Sequence, residues 1–181
     1  MTLRELVTTS LLLAIGFILH AVSPPFFLGM RPDFLLAMLF IVILMLRRVG
    51  PSLLAGLVAG ILTALTTTFP GGQVANMVDK ILTTFFVLLL VKALATRVND
   101  KILAGILAAV GTVFSGAVFL GTAYLVAGLP GSFLALILTV VLPAAGVNTV
   151  VTLILYPIVL FSERVVTGSR PNSKPASSKV A

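Results

Sequence analysis

The sequence predicts an all-α membrane protein: one six-transmembrane-helix bundle, polytopic, with both termini cytoplasmic. Three observations predict it. Of 181 residues, 59% are hydrophobic and 9% charged, with a mean hydropathy of +1.22. A soluble domain carries about 25% charged residues because its surface must be wetted. The apolar residues fall in long runs, and six spans of about 20 residues use roughly 120, leaving only short loops and tails. The basic residues gather on alternate connections between those runs, the pattern that orients membrane proteins. Cys is absent, which excludes disulfides, thiolate metal sites and cysteine nucleophiles.

The first span is 5–22, closed by Ser23-Pro24-Pro25. A cleavable signal peptide also follows a basic residue and ends in small ones, but this run is longer and its small-residue site abuts a proline, so a retained helix is expected. The second span, 33–46, has Pro32 placed for a first helical position and ends at Arg47-Arg48; being short, it is expected to tilt or recruit flanking residues. The third, 51–68, opens on Pro51. The fourth, 78–95, has Asn76 as a cap with Asp79 three residues on. The fifth, 102–127, is broken by Gly128-Leu129-Pro130-Gly131. The last apolar stretch is too long for one simple span, and Pro143 divides it: 143–161 crosses, while 132–142 forms a separate or kinked helical piece at the outer face. These spans make one domain, 1–165. Residues 166–181 are rich in Ser, Pro and Lys and form a disordered basic tail that cannot bury enough to fold.

With six spans, ten of the twelve basic residues lie on the side of the termini, leaving Arg31 and Lys80 on the other. That asymmetry places both termini in the cytoplasm. The net charge of +7 then reflects topology and anionic lipid rather than nucleic acid. Outside, Asp33 and Asp79 balance Arg31 and Lys80. These four are either two ion pairs at the water boundary, worth about 0–1 kcal/mol each, or a site for a zwitterion, whose two charges need opposite partners.

The connection 69–76 favours the site. Gly71 and Gly72 allow backbone conformations closed to other residues, Gln73 and Asn76 supply donors and acceptors, and exposed N–H groups opening the fourth helix attract a carboxylate. Phe69 offers a flat apolar wall, and the threonines 66–68 precede it. Polar residues within spans are costly and are candidates for a functional site: His20 near the outer end of the first span, and Asn148 just beyond Pro143. Interhelical hydrogen bonding is the alternative for both. A lone imidazole without further ligands is a poor metal site. Phe26, Phe27, Phe34 and Tyr124 can stack on an aromatic ligand or anchor at the interface. Gly56 with Gly60, and Ala104, Ala108, Thr112 and Gly116, form small-residue stripes suited to close helix packing, while Ser10 and Ala14 form a shorter one able to face a partner.

No HExxH, GxSxG or GxxxxGK[ST] occurs, so neither enzymatic nor ATP-driven chemistry is expected of this chain. Nor is there an internal duplication of the secondary-transporter kind. One small bundle can bind a solute, but moving it uphill needs a second machine. The segments HAVSPPFFLGMRPDFLLAM and ALTTTFPGGQVANMVDK resemble the tryptophan-specific, TrpP-like S-components of energy-coupling-factor (ECF) transporters, over about residues 4–165. The resemblance implies a substrate-binding subunit for L-tryptophan uptake, no cofactor, and partnership with a transmembrane T-component and two cytosolic ATPases. In that class the first helix touches the T-component through AxxxA; Ser10-xxx-Ala14, with Ser in place of the first Ala, is the nearest match here. Residues and resemblance together suggest that Arg31 or Lys80, with the start of the fourth helix, holds the carboxylate. Asp33 or Asp79, with Gln73, Asn76 and Asn148, takes the ammonium or indole N–H; His20 lines the pocket; Phe69 stacks on the ring. An S-component for another solute, such as a vitamin, and a structural membrane scaffold are the alternatives.

Overall fold

The computed structural model describes residues 1–24 and 33–167. Its helices are α1 (Leu3–Val22), α2 (Phe34–Leu46), α3 (Val49–Thr66), α4 (Gly72–Leu94), α5 (Asp100–Ala127), α6 (Phe133–Leu136) and α7 (Leu142–Thr167), with a π-helical stretch, Ile137–Val141, joining the last two. No strand occurs among the described residues. Five helical segments are long and apolar enough to cross a membrane, and α2, with 13 residues, is the shorter sixth. The chain is a multi-pass membrane protein.

The short helix sits at the centre. A helix that is hydrophobic all round must be buried, and every residue from Leu35 to Leu44 is at most 2% exposed. It packs against α1, α3, α4, α5 and α7. At 1.5 Å per residue it spans about 20 Å of a hydrocarbon layer of about 30 Å, a mismatch that costs little because its neighbours, not lipid, surround it. Both ends are closed by side chains: Asp33 Oδ1 accepts from the Leu36 N–H at 3.0 Å, and Arg47, in a left-handed conformation with φ 49°, donates from Nε to the Leu44 carbonyl at 2.9 Å. The sheath helices present leucines outward, Leu125 being 83% exposed, as lipid contact requires.

Small residues set how closely the sheath packs. A Cβ on Gly56 would stand 2.2 Å from Thr84 Oγ1, and one on Gly60 would stand 3.4 Å from Lys80 Cβ, so the glycine pair of α3 is what draws α4 in. Gly116 of α5 lies against Val141, whose Cγ1 would be 2.5 Å from an added Cβ. Ser10 and Ala14 lie on the exposed side of α1, whereas Gly16 on its inner side abuts Met38 and Leu35.

From Phe133 onward the chain stays helical to Thr167. The Pro143 ring cannot complete the regular i to i−4 ladder, and the irregularity is absorbed just before it, where the Leu142 N–H reaches the Ile137 carbonyl. At the opposite end of the bundle, Arg4 Nη2 donates to the Glu163 carbonyl at 3.1 Å, bringing the start of α1 to the end of α7. Arg47 pairs with Asp100 there, and Arg48 Nη1 lies 3.6 Å from Glu5 Oε2.

Candidate functional site

α4 starts at Gly72, rather than near residue 78, and this decides where its charges go. Asp79 and Lys80 lie about two turns inside the helix instead of at its mouth. Each is 1% exposed. They are not ion pairs at a water boundary but the centre of a buried cluster.

Lys80 Nζ lies 2.6 Å from Asp33 Oδ2 and 2.5 Å from Asp79 Oδ2, so one ammonium clasps the start of α2 to the middle of α4. Asp79 is held on all sides: Thr83 donates to Oδ1 at 2.8 Å, and Ser115 of α5 donates to Oδ2 at 2.9 Å. Asp33 is less enclosed. Its side chain is 20% exposed, with His20 Nδ1 at 3.8 Å from Oδ1. Each carboxylate therefore has a different environment: Asp79 is saturated by fixed partners, and Asp33 keeps access to the cavity above it.

That cavity, of about 110 Å³, is lined from α1, α2, α3, α4, α5, α7 and the π-helical stretch, and is several times the roughly 10–15 Å³ that one water requires. His20, Asp33, Asn76, Asp79, Lys80 and Asn148 give it a polar side; Phe69, Phe119, Val140, Val141 and Ala144 give it an apolar one. Phe69 and Phe119 meet edge-to-face, centroids 5.4 Å apart. Asn76 Nδ2 donates to the Thr63 carbonyl at 3.3 Å, tying α4 to α3, and Asn148 Nδ2 donates to Thr112 Oγ1 at 3.2 Å, tying α7 to α5. Among the described residues no group of three or more His, Asp or Glu side chains could hold a metal ion.

Of the residues singled out from the sequence, His20, Asp33, Phe69, Asn76, Asp79, Lys80 and Asn148 come together here. Gly71, Gly72 and Gln73 do not line the cavity. The glycines serve the hairpin: Gly71 adopts φ 68° with Ala127 Cβ 2.9 Å from where its own Cβ would be, and Thr67 Oγ1 would be 2.3 Å from a Cβ on Gly72. Gln73 is exposed, in the first turn of α4 and about 4.5 Å along the axis beyond Asn76. Tyr124 is 63% exposed and outside the cavity. Arg31, Phe26 and Phe27 lie outside the described residues. Thr112, Ser115, Gly116 and Phe119 join the wall without having been singled out as ligand residues. Their i, i+3, i+4, i+7 spacing puts them on one face of α5, a pattern that helix packing produces equally well.

The family model described as tryptophan transporter TrpP matches residues 2–164. The chain belongs to this family. It is a family of transporters, not of enzymes. Similar curated proteins carry the name "probable tryptophan transport protein". One from Clostridium acetobutylicum is 48% identical over 92% of this chain and 97% of its own. One from Bacillus subtilis is 47% identical over 88% of this chain and 92% of its own, and one from Clostridium perfringens 45% identical over 83% and 87%. No solved structure matches the chain significantly.

Proposed function

We propose that the protein is the membrane substrate-binding subunit for L-tryptophan uptake, energised by an ECF-type T-component and ATPase subunits. The observation that carries this reading is the Asp33–Lys80–Asp79 cluster facing a cavity with an aromatic wall. It offers both signs of charge to a zwitterion and a flat apolar surface to its side chain. Family membership and the names of its relatives support tryptophan as that zwitterion.

Asp33, the accessible carboxylate, receives the ligand ammonium. Lys80 swings its ammonium from Asp33 to the ligand carboxylate, so the ligand exchanges one internal pair for two of its own. Asp79 does not touch the ligand; it keeps Lys80 charged and in place. His20 stands beside Asp33, and the apolar side formed by Phe119, Val140, Val141 and Ala144 faces the indole. Arg31, two residues before Asp33, is a second candidate for the carboxylate. The end holding Arg4, Arg47 and Arg48 faces the cytoplasm by the excess of basic residues, so the cavity opens outward. The absence of a nucleotide-binding motif calls for a partner that hydrolyses ATP, and the exposed Ser10 and Ala14 face of α1 is where the T-component docks.

Calorimetry of the purified protein tests the binding step. L-Tryptophan should bind, and Asp33→Asn should weaken it roughly 30-fold or more, as loss of one partner in a desolvated charge pair does. Unchanged affinity in Asp33→Asn would remove Asp33 from the site. Concentrative uptake by the chain alone in liposomes without ATP would refute the partnership.

A further inference from the structure

Asn148 has one half of its amide in use. The side chain is 0% exposed, Nδ2 donates to Thr112, and Oδ1 has no hydrogen-bond partner among the described residues. A buried acceptor left unpaired carries its full desolvation cost, and such groups in native proteins call for an explanation.

The cavity supplies one. Along α5, Thr112 holds Asn148, Ser115 holds Asp79 and Phe119 meets Phe69, over an axial rise of about 10.5 Å. The wall thus passes from an amide through the charged cluster to an aromatic edge. Both oxygens of Asp79 are engaged, and those of Asp33 face Lys80 and the Leu36 N–H, leaving the charged groups to the ligand's own charges. Asn148 is neutral, fixed on one side, and shares the cavity lining with Ala144 of α7 and with Val140 and Val141 of the π-helical stretch before it. An unpaired carbonyl beside that apolar lining suits a single neutral donor on the edge of an otherwise apolar ring.

We propose that Asn148 is a specificity-determining residue whose Oδ1 accepts the ligand's indole N–H. The proposal rests on the tryptophan reading above. A site arranged to hydrogen-bond a substrate N–H rejects an analogue lacking it, because its own buried group is then left unpaired. Phenylalanine carries the same two charges and lacks the donor.

The test compares L-tryptophan with β-(3-benzothienyl)-L-alanine, in which sulfur replaces the N–H of the same bicycle, by calorimetry on the full chain. The wild type should prefer tryptophan roughly 10- to 100-fold. Asn148→Leu should bring the ratio within about two-fold by losing affinity for tryptophan alone. Thr112→Val, which frees the amide to turn, should lower the ratio in a chain that keeps Asn148. Equal affinity of the wild type for both ligands would overturn the proposal while leaving tryptophan binding intact; it would mean that Oδ1 is satisfied internally, for instance by Thr152 one turn away. Binding of neither ligand would overturn the tryptophan reading, and this proposal with it.

Discussion

Replacing Lys80 by Met keeps most of the apolar stem of the side chain and removes the ammonium that joins α2 to α4. Two carboxylates then face each other without a cation between them. Asp33 has somewhere to turn: its side chain is 20% exposed, with His20 nearby and the Leu36 N–H at 3.0 Å. Asp79 does not, being 1% exposed with the Thr83 and Ser115 hydroxyls left to it among the described residues. Removing one partner of a buried pair costs about 3–5 kcal/mol because the other charge stays uncompensated. The enclosure of Asp79 puts this case near the top of that range. For a chain of this size each kcal/mol shifts the melting temperature by about 2–4 °C, so Lys80→Met should melt roughly 10–20 °C lower in detergent. The double variant Lys80→Met with Asp79→Asn removes the stranded charge while an amide keeps both hydroxyls as neighbours. It should recover most of the loss, with non-additivity of about 3 kcal/mol. Both variants should lose most of their affinity for tryptophan, since both lack the Lys80 ammonium proposed for its carboxylate. Thermal unfolding with and without L-tryptophan reads both quantities. A Lys80→Met protein melting within about 2 °C of wild type, or a double variant that regains ligand protection, would refute the reasoning.

Three further outcomes follow from the packing. Gly116→Ala places a methyl 2.5 Å from Val141 Cγ1 and should destabilise by about 1–3 kcal/mol, as overpacking does; Val141→Ala in the same chain should restore part of it on thermal unfolding. Gln73→Ala should leave tryptophan affinity within about two-fold, because Gln73 is exposed at the start of α4, and a larger loss by calorimetry would return that turn to the site. At Arg47, φ is 49°, so Arg47→Gly should be more stable than Arg47→Ala by about 1 kcal/mol in thermal melts, both having lost the pair with Asp100, since only the alanine bears a Cβ in the left-handed region.

Much of this protein is legible before folding because lipid imposes a length rule. A run of some 20 apolar residues has few other uses, so the spans announce themselves. Even the central place of α2 has a trace, since its segment, FLLAMLFIVILML, is apolar on all sides. The polar residues of the site were legible for a related reason: His20, Asp79, Lys80 and Asn148 interrupt segments in which every polar group is costly. Their roles were less so. Asp79 and Lys80 looked like residues of a helix mouth because the strong apolar run starts near residue 78, but backbone hydrogen bonding carries α4 back to Gly72 through Gln73 and Asn76. That extra turn and a half moves the charges inward and leaves Gln73 at the rim. Conversely, Thr112 and Gly116 share the four-residue spacing of Ala104 and Ala108, and spacing alone does not distinguish a packing stripe from a cavity wall.

By itself, then, the amino-acid order determined the medium, the helical class and the near absence of charge from the spans, for transfer from water to lipid sums over residues whatever their neighbours. Only the three-dimensional packing decided that Asp33 and Lys80 touch across two helices, that Asp79 is saturated while Asp33 is not, and that Asn148 meets Thr112. Such meetings depend on where each helix begins and how closely glycines such as Gly56 and Gly116 let neighbours approach, and shifts of a few ångströms in either separate a shared ionic clasp from isolated charges.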